Sequence, residues 1–125
     1  MKTNYSLRYA SHPADAKNYD TQRLRKEFLI ETLFVNDEVN MVYSMYDRMI
    51  VGGVMPKAET LRLEAIDSLK ATYFTTRREI GVFNVGEGEG VVKVGEESFA
   101  LGFKEALYIG SGDRDVLFES KDPQH

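Results

Sequence analysis

The sequence predicts an all-β sandwich or barrel entered through a short helical segment. Three observations carry this. After Phe28 the chain breaks into short runs rich in Val, Ile, Tyr, Phe and Thr, punctuated by Gly, Asn and Asp. Helical signals are confined to the first quarter of the chain. The stretch Val94-Gly95-Glu96-Glu97 sits between two such runs as a hairpin turn, its glycine free to take positive φ.

Pro13 suits the first position of a helix that continues through Ala14 to Lys17. Asp20 is placed to cap a second helix running from Thr21 to Glu27, with Leu24 and Phe28 on one face. Residues 1–27 are therefore expected to be a helical lead-in, packed on a β domain spanning residues 28–125. Strands are expected at Phe28 to Val35, Asn40 to Met45, Arg48 to Met55, Thr60 to Ala65, Tyr73 to Arg78, Gly81 to Val85, Gly90 to Val94, Glu97 to Leu101, Ala106 to Gly110 and Asp115 to Glu119. Gly86-Glu87-Gly88-Glu89-Gly90 lacks the Lys-Ser/Thr and following helix of a phosphate-binding loop. Its two glutamates would also repel an anion, so a plain connection between strands is expected.

Composition narrows the function classes. A chain of 125 residues with 42% hydrophobic content has the size of one domain with a single core. The net charge of -4, with no cluster of Lys or Arg, disfavours nucleic acid as a partner. Without cysteine there is no disulfide, thiolate metal site or cysteine nucleophile. The first residues, MKTNYSLRYASHPADAKNYD, lack the apolar core of a signal peptide, and no stretch is apolar for long enough to span a bilayer. A cytoplasmic location is the expectation.

Two segments form a spaced frame, YFTTRREIGVFNVG from Tyr73 to Gly86 and GFKEALYIGSGD from Gly102 to Asp113. This frame resembles the paired motifs of cupins, H-x-H-x3-E-x6-G and G-x5-P-x-G-x2-H. Glu79, Gly86, Gly102 and Gly110 match. Tyr73 and Thr75 stand where the first motif has histidines, Tyr108 replaces the proline, and Asp113 replaces the last histidine. The resemblance implies a cupin-like jelly-roll barrel that has kept its glycines and lost its metal ligands.

Longer strings resemble a narrower family. DTQRLRKEFLIE, MVYSMYDRMIVGGVMP, RREIGVFNVG and EALYIGSGDRDVLFES together resemble the amino-terminal half of the 5-keto-4-deoxyuronate isomerases, also called 4-deoxy-L-threo-5-hexosulose-uronate ketol-isomerases. The resemblance runs from about residue 12 onward, in order. It implies a bacterial, cytoplasmic, two-cupin subunit that forms hexamers and acts on an unsaturated-uronate product in pectin breakdown. Its reaction interconverts 5-keto-4-deoxyuronate and 3-deoxy-D-glycero-2,5-hexodiulosonate by moving a proton through an enediolate, with zinc polarising the carbonyl. In the family the zinc ligands come from the carboxy-terminal cupin. This chain is therefore expected to hold no metal and to be inactive alone, with the carboxy-terminal half as its partner.

The histidines agree with that expectation. Catalytic zinc takes about three protein ligands, whereas this chain has only His12, expected as a surface or capping imidazole, and His125, the last residue, at a position where mobility is the usual expectation. The candidates for a chemistry of the domain's own are Glu79, Arg77 and Arg48. The frame points Glu79 into the barrel, and strand alternation puts Arg77 on its face, a buried ion pair more readily than a general base. Arg48, with Tyr43, Tyr46 and Asp47, forms a polar-aromatic patch suited to a sugar acid or, preferentially, to packing on a neighbouring domain. Tyr73 and Tyr108 serve as barrel fillers, and Asp113-Arg114-Asp115 as an exposed turn.

Two other readings remain open. The chain is alternatively a complete, metal-free binding or oligomerisation module, taking a uronate through Arg77 or Arg48. Otherwise a separate polypeptide supplies the missing cupin. The ending ESKDPQH, directly after a predicted strand, favours a chain that continues.

Overall fold

The structure, a computed structural model, describes residues 2–124. It is all-β, with two short helices near the start. His125 lies outside the described residues. The first strand, β1 (Lys2–Arg8), precedes α1 (Pro13–Ala16) and α2 (Thr21–Phe28). The remaining strands are β2 (Glu38–Ser44), β3 (Met49–Val54), β4 (Leu61–Arg62), β5 (Ile80–Phe83), β6 (Gly90–Val94), β7 (Glu97–Leu101), β8 (Ala106–Ile109) and β9 (Val116–Ser120).

Three sheets share one core. Their orders are β1-β2-β3, β4-β9-β6-β7 and β5-β8. The inward residues Val39, Met41 and Tyr43 of β2 meet Leu61, Val92, Val94, Leu101, Ile109, Val116 and Phe118 in a single apolar cluster. Leu61 is fully enclosed although its strand is only two residues long. Enclosing such a side chain stabilises the fold by about 1.5–3 kcal/mol.

Local chemistry sets the element ends. Asp20 caps α2, its carboxylate accepting from the Arg23 amide at 2.8 Å. The β6–β7 hairpin pairs Val94 with Glu97, and Gly95 turns the chain at φ +59°. Asp37, itself at φ 57°, accepts from the amides of Lys57, Ala58 and Glu59 at 2.8, 2.9 and 3.0 Å. One carboxylate thereby fixes both the entry to β2 and the turn after β3.

The expected strands at Gly90 to Val94 and Glu97 to Leu101 agree with the structure to the residue, and several others to within a residue or two. Four expectations need correction. The lead-in is not helical throughout, because Lys2–Arg8 is β1, paired in parallel with β2 from Lys2↔Glu38 to Arg8↔Ser44. Phe28 to Val35 is not a strand: Phe28 ends α2, and the residues that follow lie across the β1-β2-β3 sheet without joining a ladder. There the Leu33 carbonyl accepts from the Asn40 amide at 3.2 Å. This close approach requires Gly53, where a Cβ would sit 2.7 Å from the Leu33 carbonyl oxygen and 2.8 Å from its Cβ.

Tyr73 to Arg78 is also not a strand. The Thr76 hydroxyl accepts from the Tyr73 amide at 3.1 Å while the Thr76 amide donates to the Tyr73 carbonyl at 3.2 Å, closing a turn. Thr60 to Ala65 shortens to Leu61–Arg62. No helix among the described residues is long and apolar enough to cross a membrane.

Candidate functional site

The two halves of the frame meet in space. β5 pairs with β8, Ile80 opposite Ile109 and Phe83 opposite Ala106, which lays the Tyr73–Gly86 segment against the Gly102–Asp113 segment. At the open end of this pair Thr75 is wholly buried, with 0% exposure. Its hydroxyl donates to the Gly112 carbonyl at 2.7 Å and lies 3.4 Å from the Arg114 carbonyl. The Gly112 amide returns a bond to the Thr75 carbonyl at 2.7 Å. The position that holds a histidine in the resembling motif is here a tie between two loops.

Glu79 does not point inward. It is exposed, and its carboxylate accepts from the Tyr108 phenol, which raises the phenol above its usual value of 10.0. Hydrogen bonding to the carboxylate is the main cause, because it holds the neutral phenol. The expected buried pair of Glu79 with Arg77 is thus corrected. Arg77 is exposed and turns away, one guanidinium nitrogen donating to the carbonyls of Leu69 at 2.8 Å and Lys70 at 3.0 Å. Departure from strand geometry before Ile80 removes the alternation on which that pairing depended.

Arg78, not singled out from sequence, takes the inward role. It donates to the Tyr43 hydroxyl at 2.8 Å and to the Arg48 carbonyl at 2.9 Å, with its guanidinium 5.0 Å from the Tyr43 ring centre. The expected patch accordingly divides. Tyr43 is buried beneath Arg78, Tyr46 accepts from the Ser11 amide at 3.0 Å, and Asp47 and Arg48 form an exposed turn at φ 55° and 52°. The adjacent pair Arg77-Arg78 on an aromatic-rich segment was the available signal, but sequence alone does not say which arginine turns in.

Tyr108, expected as a barrel filler, instead stands exposed on the outer face of β8, whereas the polar turn and cap positions behave as expected. His12 is an exposed cap whose Nδ1 accepts from the Ala14 amide at 3.0 Å. The Gly86–Gly90 run is a connection, held by Asn84, which accepts from the Gly86 amide and donates to the Gly88 and Leu101 carbonyls, each at 2.9 Å. Asp113, Arg114 and Asp115 are exposed, with Asp115 paired to Arg62 at 2.8 Å.

A zinc ion finds no fitting donor set in the frame. Thr75 has committed its hydroxyl, Tyr73 stands in a turn, Glu79 faces the Tyr108 phenol, and Asp113 is exposed. Among the described residues no three His, Cys, Asp or Glu side chains cluster as a metal site requires.

The outer face of β5 and β8 is apolar. Phe83 is 71% exposed and Tyr108 67%, and Val85 and Phe103 are also uncovered. Beside them an apolar cavity of about 330 Å³ opens toward the core residues Val54, Val82, Leu101 and Phe118.

No protein-family model matches the chain. Curated relatives do. It is 67% identical over all 125 residues to a 4-deoxy-L-threo-5-hexosulose-uronate ketol-isomerase of Bacteroides fragilis, covering 44% of that protein. It is 68% identical over 122 residues, 98% of the chain, to ketol-isomerase 1 of the same name from Bacteroides thetaiotaomicron, covering 43% of it. It is 52% identical over 122 residues, again 98% of the chain, to the Formosa agariphila protein of that name, covering 43%. The chain spans less than half the length of the relatives it matches. Over its whole length it is homologous to the amino-terminal half of 4-deoxy-L-threo-5-hexosulose-uronate ketol-isomerases.

Proposed function

We propose that this chain is the architectural half of a cytoplasmic, zinc-dependent ketol-isomerase subunit of cupin-like build. The parent enzyme interconverts 5-keto-4-deoxyuronate and 3-deoxy-D-glycero-2,5-hexodiulosonate in pectin breakdown, and its proton-transfer chemistry lies in the carboxy-terminal half. This half supplies a rigid scaffold and contact surface, both to that partner and between the subunits of a hexamer.

The observation that carries the reading is the Thr75 tie. A buried hydroxyl bonded to the Gly112 carbonyl joins two loops at a ligand position of the frame, so the frame serves cohesion. The uncovered face of Phe83, Val85, Phe103 and Tyr108 supports a packing role, since large exposed apolar patches mark interaction surfaces. Neither Glu79, in contact with a phenol, nor Arg77, committed to carbonyls, has the setting of a general base with its partner.

The test uses the full-length protein carrying Glu79→Gln, Arg77→Gln and Arg48→Gln, singly and together. Zinc content is expected to stay unchanged and kcat/KM to stay within about threefold of wild type. Loss of about 100-fold in kcat, which corresponds to about 2.7 kcal/mol of transition-state stabilisation, would place catalysis in this half and overturn the reading.

A further inference from the structure

A groove of about 580 Å³ lies between the outer face of the β1–β2 pair and the arm formed by α2 and the residues after it. Its floor carries Asn4, Ser6 and Arg8 of β1 with Asn40 of β2, and its wall carries Gln22, Arg25 and Lys26 of α2. The alternation of β1 places Asn4, Ser6 and Arg8 on one face. The spacing 22, 25, 26 places the α2 residues on one face of the helix.

The charge in this groove opposes that of the chain. The protein carries -4 overall. The ionised residues lining the groove are Arg8, Arg25, Lys26 and Glu31, three cations and one anion. Arg25 and Glu31 pair with each other. The acidic neighbours are also committed: Glu27 pairs with Arg23 at 2.8 Å, and Glu38 accepts from the Asn4 amide at 3.1 Å and pairs with Lys2 at 3.9 Å. Arg8 and Lys26 therefore face the groove with no acidic partner among the described residues. Arg8 is partly buried, and its own carbonyl accepts from the Met45 amide at 2.8 Å, so its backbone is held on a paired strand.

The rest of the lining suits a polyol. Asn4, Gln22, Ser6 and Thr32 offer amides and hydroxyls, and Asn40 is fixed by bonds from Asn4 at 2.9 Å and to the Leu33 carbonyl at 3.2 Å. Val42, paired with Ser6 and so on the same face, adds apolar surface for the carbon face of a ring. The volume lies within the range of roughly 300–1,000 Å³ typical of small-molecule sites. Two cations with no acidic partner among the described residues, together with amides and hydroxyls lining the same groove, form the complement of an acidic sugar.

We infer that this groove binds an anionic monosaccharide or disaccharide, its carboxylate or phosphate held between Arg8 and Lys26. Using a uronate as the carboxylate probe rests on the proposed function; the groove and its charge do not. Phenylglyoxal modification of Arg8 in the full-length protein, read by peptide mass spectrometry, tests the site directly. D-galacturonate, D-glucose 6-phosphate and neutral D-galactose are compared at equal ionic strength. One or both anionic sugars are expected to protect Arg8 while D-galactose does not, and the pattern distinguishes a carboxylate from a phosphate ligand. Protection by D-glucose 6-phosphate alone would keep the site and count against the uronate reading. Lys26→Gln, an exposed helix substitution, is expected to raise the half-protecting concentration about tenfold. The inference is overturned if neither anion protects, if D-galactose protects equally, if Lys26→Gln changes nothing, or if Arg8 is already unreactive without ligand because the groove is closed in the intact protein.

Discussion

Replacing Thr75 by Val removes one hydroxyl from a fully buried site and keeps the side-chain shape, which isolates the tie between the frame's two loops. The Gly112 carbonyl loses its 2.7 Å bond but keeps the Arg114 amide at 3.0 Å, so it is not left bare. The Arg114 carbonyl loses only a long contact at 3.4 Å. The cost is then that of one net hydrogen bond with partial loss of compensation, about 1–2 kcal/mol. If this cost falls on local opening, the Gly112 amide, which donates to the Thr75 carbonyl, should exchange about 5–30-fold faster. Hydrogen–deuterium exchange on the full-length protein, followed in peptides covering residues 110–116, provides the assay. Thr75→Ser keeps the hydroxyl and loses a methyl, so it should accelerate exchange less than Thr75→Val does. Unchanged exchange in Thr75→Val, or equal effects of the two variants, would refute the claim that the hydroxyl holds the loops together.

Gly53→Ala should expel the Leu29–Val35 arm, because its methyl would meet the Leu33 backbone at 2.7–2.9 Å; overpacking of this kind costs about 1–3 kcal/mol, and limited proteolysis should cut the arm faster. Asp37 is held below its usual 3.8 mainly by the Lys57 and Glu59 amides. A folded pKa below the unfolded one contributes stability above the unfolded value, and that stability is lost as pH falls through the folded value. Wild type should therefore be more stable than Asp37→Asn at pH 7, with the advantage shrinking in acid below 3.8; an advantage independent of pH in chemical denaturation would contradict this. Glu79→Gln should lower the Tyr108 phenol toward 10.0, visible in ultraviolet titration of tyrosinate, and an unmoved titration would show that the carboxylate is not its partner. Because the phenol is raised in the folded state, the Glu79–Tyr108 contact should stabilise the protein below pH 10 and fade as pH rises through the folded value.

What the sequence disclosed follows how locally each feature is determined. The Asp20 cap, the Gly95 hairpin and strands β6 and β7 depend on neighbouring residues and were legible. β1 was legible too, since Thr3, Tyr5 and Leu7 alternate with Asn4, Ser6 and Arg8, but the helical signals from Pro13 onward outweighed it. The segments after Phe28 and around Tyr73 have strand composition without strand structure, because pairing depends on which neighbour is available. Gly53 and Thr76 settle those two segments, one by admitting the Leu33 backbone and the other by closing a turn with its hydroxyl. The two halves of the frame were legible as motifs, and the structure pairs them through β5 and β8. It did not reveal that Glu79 faces outward or that Arg78 rather than Arg77 turns toward Tyr43. The groove at Arg8 escaped notice because its floor and wall come from elements distant in sequence.

The most direct test of the architectural reading is anomalous diffraction at the zinc absorption edge from crystals of the full-length protein. The account predicts a zinc peak coordinated wholly by residues beyond this chain, with none at Tyr73, Thr75, Glu79 or Asp113. A peak within bonding distance of those four residues would show that the amino-terminal half carries the metal after all.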